Sequence, residues 1–237
     1  MKSELLYPEI CTLYGDKGNT MYLKLCLPEA EFVETTLNAK PLFLTEDIDM
    51  VYMCSMSEQS QELILDRLLP LKEEIFRVLD AQKTLFFFVG NSLELLGKYI
   101  KREDGSKVGA LAYFNSYSVR QTPNRFNSLM KAKFENMTLL GYTSRFSHTF
   151  GVPEQDAFCK MEIGAGMNPK TVYEGIHKGK IIATYMQGPI LVANPDFAHY
   201  ILKLLGADQE KLPLEDEMRE AYAQKLKDFD KPDLELS

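Results

Sequence analysis

Tryptophan is absent from this chain, and histidine occurs only at His148, His177 and His199. Side chains able to serve as general bases near neutral pH are therefore scarce. The four cysteines, Cys11, Cys26, Cys54 and Cys159, are scattered, with no C-x-x-C pair and no histidine–cysteine cluster. That spacing excludes a zinc ribbon and a disulfide framework and fits the reducing cytoplasm. No apolar run approaches the ~18 residues of a membrane span, and the amino-terminal segment lacks the apolar core of a secretory signal. Basic runs are missing as well, and the formal net charge is −7, so no nucleic acid is expected as a partner. Neither a G-x-G-x-x-G segment nor a Walker-type loop occurs, and no cofactor is expected.

Apolar residues make up 45% of the chain and charged residues 26%, the balance of a globular protein with a sizeable core. The organising stretch runs from Thr84 to Gly97. Its unbroken apolar run Leu85-Phe86-Phe87-Phe88-Val89 reads as a buried parallel strand that ends at Gly90 and turns sharply into a helix over residues 92–100. Earlier, strands are expected over 5–14, 31–37 and 49–54. Helices are expected over 21–27 and 59–69, with a break at Pro70 and a second helix over 71–79. Alternating strands and helices of this kind build a mostly parallel open sheet with helices on both faces, an α/β fold. Beyond residue 106 the texture changes to strands over 110–120, 131–140, 158–163 and 180–186, which suggests antiparallel additions in the carboxyl-terminal half. A helix over 195–205 opens on Asn194-Pro195. No repeat, low-complexity segment or linker divides the chain. One domain over residues 1–206 is expected, followed by a helical tail over 207–237, with a charged amphipathic helix at 214–227 and fraying from residue 228.

Four short motifs follow one another along this frame. They are Tyr14-Gly15-Asp16-Lys17-Gly18-Asn19, Val89-Gly90-Asn91-Ser92-Leu93-Glu94-Leu95-Leu96-Gly97, Gly164-Ala165-Gly166-Met167-Asn168 with Glu174-Gly175, and Ala183-Thr184-Tyr185-Met186-Gln187-Gly188-Pro189-Ile190-Leu191. Together they resemble the class I glutamine amidotransferases, in particular the cobyric acid synthase-like branch. The family's corresponding segments read Y-G-D-x-G-N, I-C-G-G-Y-Q-L-L-G, G-x-G-x-N…E-G and G-T-Y-L-H-G-P-L-L. Within the branch the likeness is greatest to the amidotransferase subunits of lipid II isoglutaminyl synthases. The resemblance implies a flavodoxin-like sheet and a partner of Mur-ligase-like synthetase type; a second copy of the chain is the other partner considered.

Glutaminase chemistry needs a thiolate nucleophile, a histidine to shuttle its proton and backbone N–H donors for the oxyanion. On this resemblance the family's cysteine position holds Gly90 and its histidine position holds Gln187. The family's oxyanion loop G-G-G-Q-D corresponds to Cys54-Ser55-Met56-Ser57-Glu58, with no glycine left. Loss of a nucleophile or its base typically removes ~10⁶ in rate, and one oxyanion donor a further ~10²–10³. The resemblance therefore implies the fold without the glutaminase activity, and no catalytic residue is assigned. Gly90 in place of cysteine is expected to leave room, with Asn91, Ser92, Glu94 and Gln187 making the pocket polar. Ser57 in the former oxyanion loop and Arg145 near its mouth complete the candidate ligand-binding set, and a small amide or amino acid is the candidate ligand. The alternative is an amidohydrolase or amidotransferase with a relocated nucleophile, either Ser92, in a loose G-x-S-x-E elbow, or Cys54 at a strand end. Without such a role Ser92 reads as a helix cap, Cys54 as a buried structural thiol and His148 as a surface-loop residue.

Overall fold

The computed structural model describes residues 1–231. Its first half alternates as expected: β1 (Lys2–Leu6), α1 (Lys17–Cys26), β2 (Glu31–Thr35), β3 (Met50–Met53), α2 (Glu58–Leu68), α3 (Lys72–Ala81) and β4 (Leu85–Val89). Pro70 falls between α2 and α3, inside a short 3₁₀ turn, Leu69–Leu71. Another 3₁₀ turn, Gly90–Leu96, follows β4. Strands dominate the second half: β5 (Tyr99–Lys101), β6 (Lys107–Gly109), β7 (Tyr117–Arg120), β8 (Phe126–Phe134), β9 (Met137–Arg145), β10 (Ser147–Phe150), β11 (Cys159–Ile163), β12 (Tyr173–Glu174), β13 (Ile176–Lys178) and β14 (Ile181–Thr184). Three helices close the described chain: α4 (Ile190–Ala193), α5 (Pro195–Leu204) and α6 (Glu215–Asp228).

Six strands form the central sheet in the order β13-β14-β4-β3-β1-β2. Five are parallel, and β13 alone is antiparallel, paired with β14. The parallel part has the doubly wound order in which the chain leaves β1 in opposite directions to reach β2 and β3. Every residue of β3 and β4 is buried, which is why both read as continuous apolar runs rather than as alternating ones. Two four-stranded sheets supply the antiparallel additions: β12-β11-β8-β9 is antiparallel throughout, and β10-β7-β5-β6 is antiparallel except for the parallel pair β5–β7.

Local boundaries differ from the sequence expectation where backbone chemistry intervenes. β1 ends at Leu6 because Tyr7 turns to φ 54 and Pro8 follows. The strand expected over 131–140 is a hairpin instead. Phe134 pairs with Met137 across a two-residue turn that puts Glu135 at φ 49. Of the strand expected over 110–120, only Tyr117–Arg120 forms. The helix expected over 92–100 is replaced by the 3₁₀ turn and by β5, which pairs with β6 and β7. The amphipathic tail helix packs on its own chain: Met218 is buried, Tyr222 Oη donates to Thr138 O at 2.8 Å, and Arg219 pairs with Asp196 and Glu215. Of the segment expected to fray, residues 232–237 lie outside the described residues.

One buried carboxylate ties the sheet edge to its covering loop. Glu4, in the middle of β1, accepts Thr35 Oγ1 at 2.6 Å, Leu42 N at 2.7 Å and Phe43 N at 2.8 Å. Replacing Glu4 by alanine would strand two backbone donors in the interior, where each unmade bond costs ~1–3 kcal/mol. Urea unfolding of Glu4→Ala is expected to show a loss of about 3 kcal/mol, whereas a change under 0.5 kcal/mol would mean that solvent reaches those amides.

Candidate functional site

The carboxyl ends of β3, β4 and β14 meet around the turn that begins at Gly90. Gly90 adopts φ 70, the left-handed conformation that glycine takes without steric cost. All seven residues of the turn are buried, with Leu93, Leu95 and Leu96 in the main core. The tip of the turn is not vacant. A Cβ built on Gly90 would overlap the Ser55 hydroxyl and lie 2.8 Å from Ser55 Cβ. The room expected beside Gly90 is therefore taken by a side chain from the loop after β3.

Ser55 is held in that position by Asp16, from the loop before α1. Asp16 Oδ2 accepts Ser55 Oγ at 2.5 Å and Ser55 N at 3.2 Å, while Oδ1 accepts Gly188 N at 2.8 Å. Burial pushes the Asp16 carboxyl up to about 6, against the opposing pull of these hydrogen bonds. Gln187 is fixed just as firmly. Its Oε1 accepts Ser144 N at 2.6 Å and its Nε2 donates to Ser144 O at 3.0 Å, leaving Nε2 3.4 Å from Ser55 Oγ.

On the other side of the turn the polar groups also bond inward. Asn91 exchanges two hydrogen bonds with Met56, accepting its N at 3.0 Å and donating to its O at 2.8 Å. Gln61 Nε2 donates to Asn91 O at 2.7 Å and to Glu94 Oε2 at 3.2 Å, and Tyr185 Oη donates to Glu94 Oε1 at 2.9 Å. Arg120 Nη2 closes this network on Gln61 Oε1 at 2.8 Å. Burial raises the Glu94 carboxyl to about 6 despite the Tyr185 and Gln61 bonds.

The structure thus brings Gly90, Asn91, Ser92, Glu94 and Gln187 together and keeps Ser57 and Arg145 apart from them. Ser57 is exposed and caps α2, accepting Ser60 N at 3.1 Å. Arg145 is buried against the Tyr185 ring, not placed at an open mouth. Ser92 neither caps a helix nor faces a cavity; its hydroxyl is fully buried and donates to Val89 O at 2.8 Å. Cys54 is a buried thiol bonded to Cys11 O, raised by desolvation. His148 is no surface-loop residue but lies buried in β10. Sequence reasoning missed Asp16 and Ser55 as the centre of the arrangement. The aspartate stands in the first motif, but its partner 39 residues away carries no pattern of its own.

The sequence pattern of the CobB/CobQ-like glutamine amidotransferase domain matches residues 6–195. The chain belongs to this family. Among curated relatives, the lipid II isoglutaminyl synthase (glutamine-hydrolyzing) subunit GatD of Streptococcus pneumoniae (strain ATCC BAA-255 / R6) is 26% identical over 235 residues, covering 94% of this chain and 89% of the relative. The subunit of the same name from Staphylococcus aureus (strain N315) is 24% identical over 211 residues, covering 86% of this chain and 83% of the relative. A crystal structure of a glutamine amidotransferase superposes with a TM-score of 0.58 at 15% identity, covering 86% of this chain and 98% of that one, which establishes the likeness of fold. In this amidotransferase frame the polar ends of the central strands are bonded to one another.

Two measurements follow from this geometry. Gly90→Cys is expected to cost about 3 kcal/mol in urea unfolding, from overlap with Ser55 and from the left-handed φ. Combining it with Ser55→Gly should recover ~1 kcal/mol or more as a coupling energy; additive effects would mean that the two positions do not touch. The second measurement is the pH dependence of stability. Asp16 and Glu94 have folded-state values above their ordinary carboxylate range, so the folded state holds more protons than the unfolded chain between the two. Stability from these groups is present below the ordinary range and is lost as pH rises through about 6. Glu94→Gln should therefore flatten the fall in stability between about pH 4.5 and pH 6, and an unchanged slope would show that Glu94 does not titrate there.

Proposed function

We propose that this amidotransferase-fold chain does not hydrolyse glutamine and serves as a binding, regulatory or partner subunit. The reading rests on one observation above all: the tip of the turn after β4 is a glycine whose Cβ direction is filled by Ser55. A nucleophile at that position would have no space to project, and no base faces it, because Gln187 is bound on both amide atoms by Ser144. The relocated-nucleophile reading finds little support in the surroundings of its two candidates. The Ser92 hydroxyl is spent on backbone carbonyls, and burial keeps the Cys54 thiol protonated. Asn91, Ser92, Glu94 and Gln187 bond inward, so they favour a scaffold over an open amide-binding pocket.

The relatives are, by name, subunits of a lipid II isoglutaminyl synthase. By that analogy the proposed partner is a Mur-ligase-like synthetase in the cytoplasm. Its binding would need no chemistry from the Gly90 turn, only the shape that the turn and its neighbours maintain.

Ammonia release from glutamine and from asparagine tests the central claim, using purified protein with Ser92→Ala and Cys54→Ala alongside. All three proteins are expected to match buffer. Release by the native chain that disappears in one of the two variants would overturn the reading and place the nucleophile there. Affinity purification from the native cell is expected to recover a stoichiometric complex with an ATP-dependent ligase, and recovery of the chain alone would count against the proposed partner.

A further inference from the structure

Among the described residues, seven buried polar side-chain atoms lack a hydrogen-bond partner, and four of them belong to neighbouring residues: Thr143 Oγ1, Arg145 Nε, Arg145 Nη1 and His148 Nδ1. Interior polar atoms are almost always satisfied, so a concentration of this kind calls for an occupant. Thr143 and Arg145 alternate with Tyr142 and Ser144 along β9 and so share one of its faces, ~7 Å apart. Across the hairpin, Ser128 is the register partner of Thr143 and Phe126 that of Arg145. The Arg145 guanidinium carbon lies 5.2 Å from the Phe126 ring centre, and the His148 ring lies 5.5 Å from the same centre. Guanidinium and imidazole thus flank one aromatic ring.

A glycine loop covers the same region. Arg145 Nη2 donates to Gly166 O at 2.6 Å, the single hydrogen bond of that guanidinium. Gly164, at φ 90, approaches the β8 backbone so closely that a Cβ would overlap Leu129 O, and only glycine allows the loop to lie there. The two interior carboxylates whose charges bear on Arg145 are bonded elsewhere. Glu94 is held by Gln61 and Tyr185, and Glu174 by Thr184 Oγ1 at 2.7 Å and Tyr185 N at 2.6 Å. A buried cation therefore keeps most of its donors free, next to a hydroxyl that can donate or accept and an imidazole whose role follows its tautomer. The unmet guanidinium donors favour an oxyanion over an amine or a metal cation.

We propose that Thr143, Arg145 and His148 form a binding site for a small oxyanion, of carboxylate or phosphate type, between the β8–β9 hairpin and the loop over residues 164–166. The proposal does not depend on whether the Gly90 turn is catalytically silent.

The test uses the full-length protein in chloride buffer at constant ionic strength, titrated with inorganic phosphate and, separately, with acetate. Thermal unfolding and the ¹⁵N resonance of Arg145 Nε are the two readouts. A saturable rise of roughly 3 °C or more is expected for at least one anion, with movement of the Arg145 resonance over the same concentration range. Whichever anion saturates at lower concentration decides between the phosphate and carboxylate types. Thr143→Val and His148→Phe should each weaken the response roughly five-fold, and Arg145→Met should abolish its saturable part. A response that never saturates, or an equal one in folded Arg145→Met, would overturn the site. Should Arg145→Met fail to fold, an Arg145 resonance in the native protein that neither anion moves would overturn it as well, leaving ordered water as the occupant.

Discussion

A single carboxylate, Asp16, holds three chain segments that are far apart in sequence at the carboxyl end of the central sheet. One oxygen receives the amide and hydroxyl of Ser55 from the loop after β3, and the other receives Gly188 N from the loop after β14. Around this clamp, Asn19 donates to Tyr52 Oη and to Gly188 O and accepts Leu191 N, tying α1 to the same segments. Parallel sheets bring their loops together at one end, where backbone groups leave the ladder and need other partners. Asp16 and Asn19 meet that need with side chains from one short motif. The position of Ser55, and with it the filling of the Gly90 tip, follows from the clamp.

The polar interior beyond the clamp is organised by the same requirement. Gln61, Glu94, Tyr185 and Thr149 form a continuous chain of hydrogen bonds that reaches Ser118 on β7, while Arg120 joins it at Gln61. This chain crosses from the central sheet into the sheet of β10, β7, β5 and β6, so the two are joined by directional contacts as well as by apolar packing. Networks of this sort specify a unique arrangement when every member is satisfied. Arg120 Nε within it, and the group of atoms around Arg145, are exceptions that lack a partner.

Much of the fold was legible because its strongest signals are local. The run Leu85–Val89 could hardly be anything other than a buried strand, and Pro70, Asn194 and Pro195 mark helix boundaries by their own backbone chemistry. Four motifs in order were enough to place the chain among the glutamine amidotransferases. The turn after Gly90 was harder, because its leucine spacing fits a helix while its backbone is captured as a tight 3₁₀ turn, with Leu95 O and Leu96 O accepting Leu111 N and Phe114 N from a distant loop. The surroundings of the candidate site residues were not legible. Asn91, Ser92, Glu94 and Gln187 do converge, but whether a polar side chain points into a cavity or into its neighbours is a tertiary fact. Ser55 filling the space over Gly90 depends on a pairing with Asp16 that no spacing rule encodes.

Gly90 keeps the left-handed backbone on which an elbow of this kind depends, yet it does so at rest. A residue with a Cβ would hold ~1–3 kcal/mol of strain at that φ, whereas glycine holds almost none. On the proposed reading, the turn persists for the course it gives the main chain and no longer as a loaded device. On that reading, a reactive side chain at position 90 would add the strain of a Cβ at that φ and would need Ser55 displaced and position 187 freed as well. On the same reading, the filled elbow acts as a ratchet in sequence space: a Cβ at position 90 is uphill in stability before chemistry can reward it.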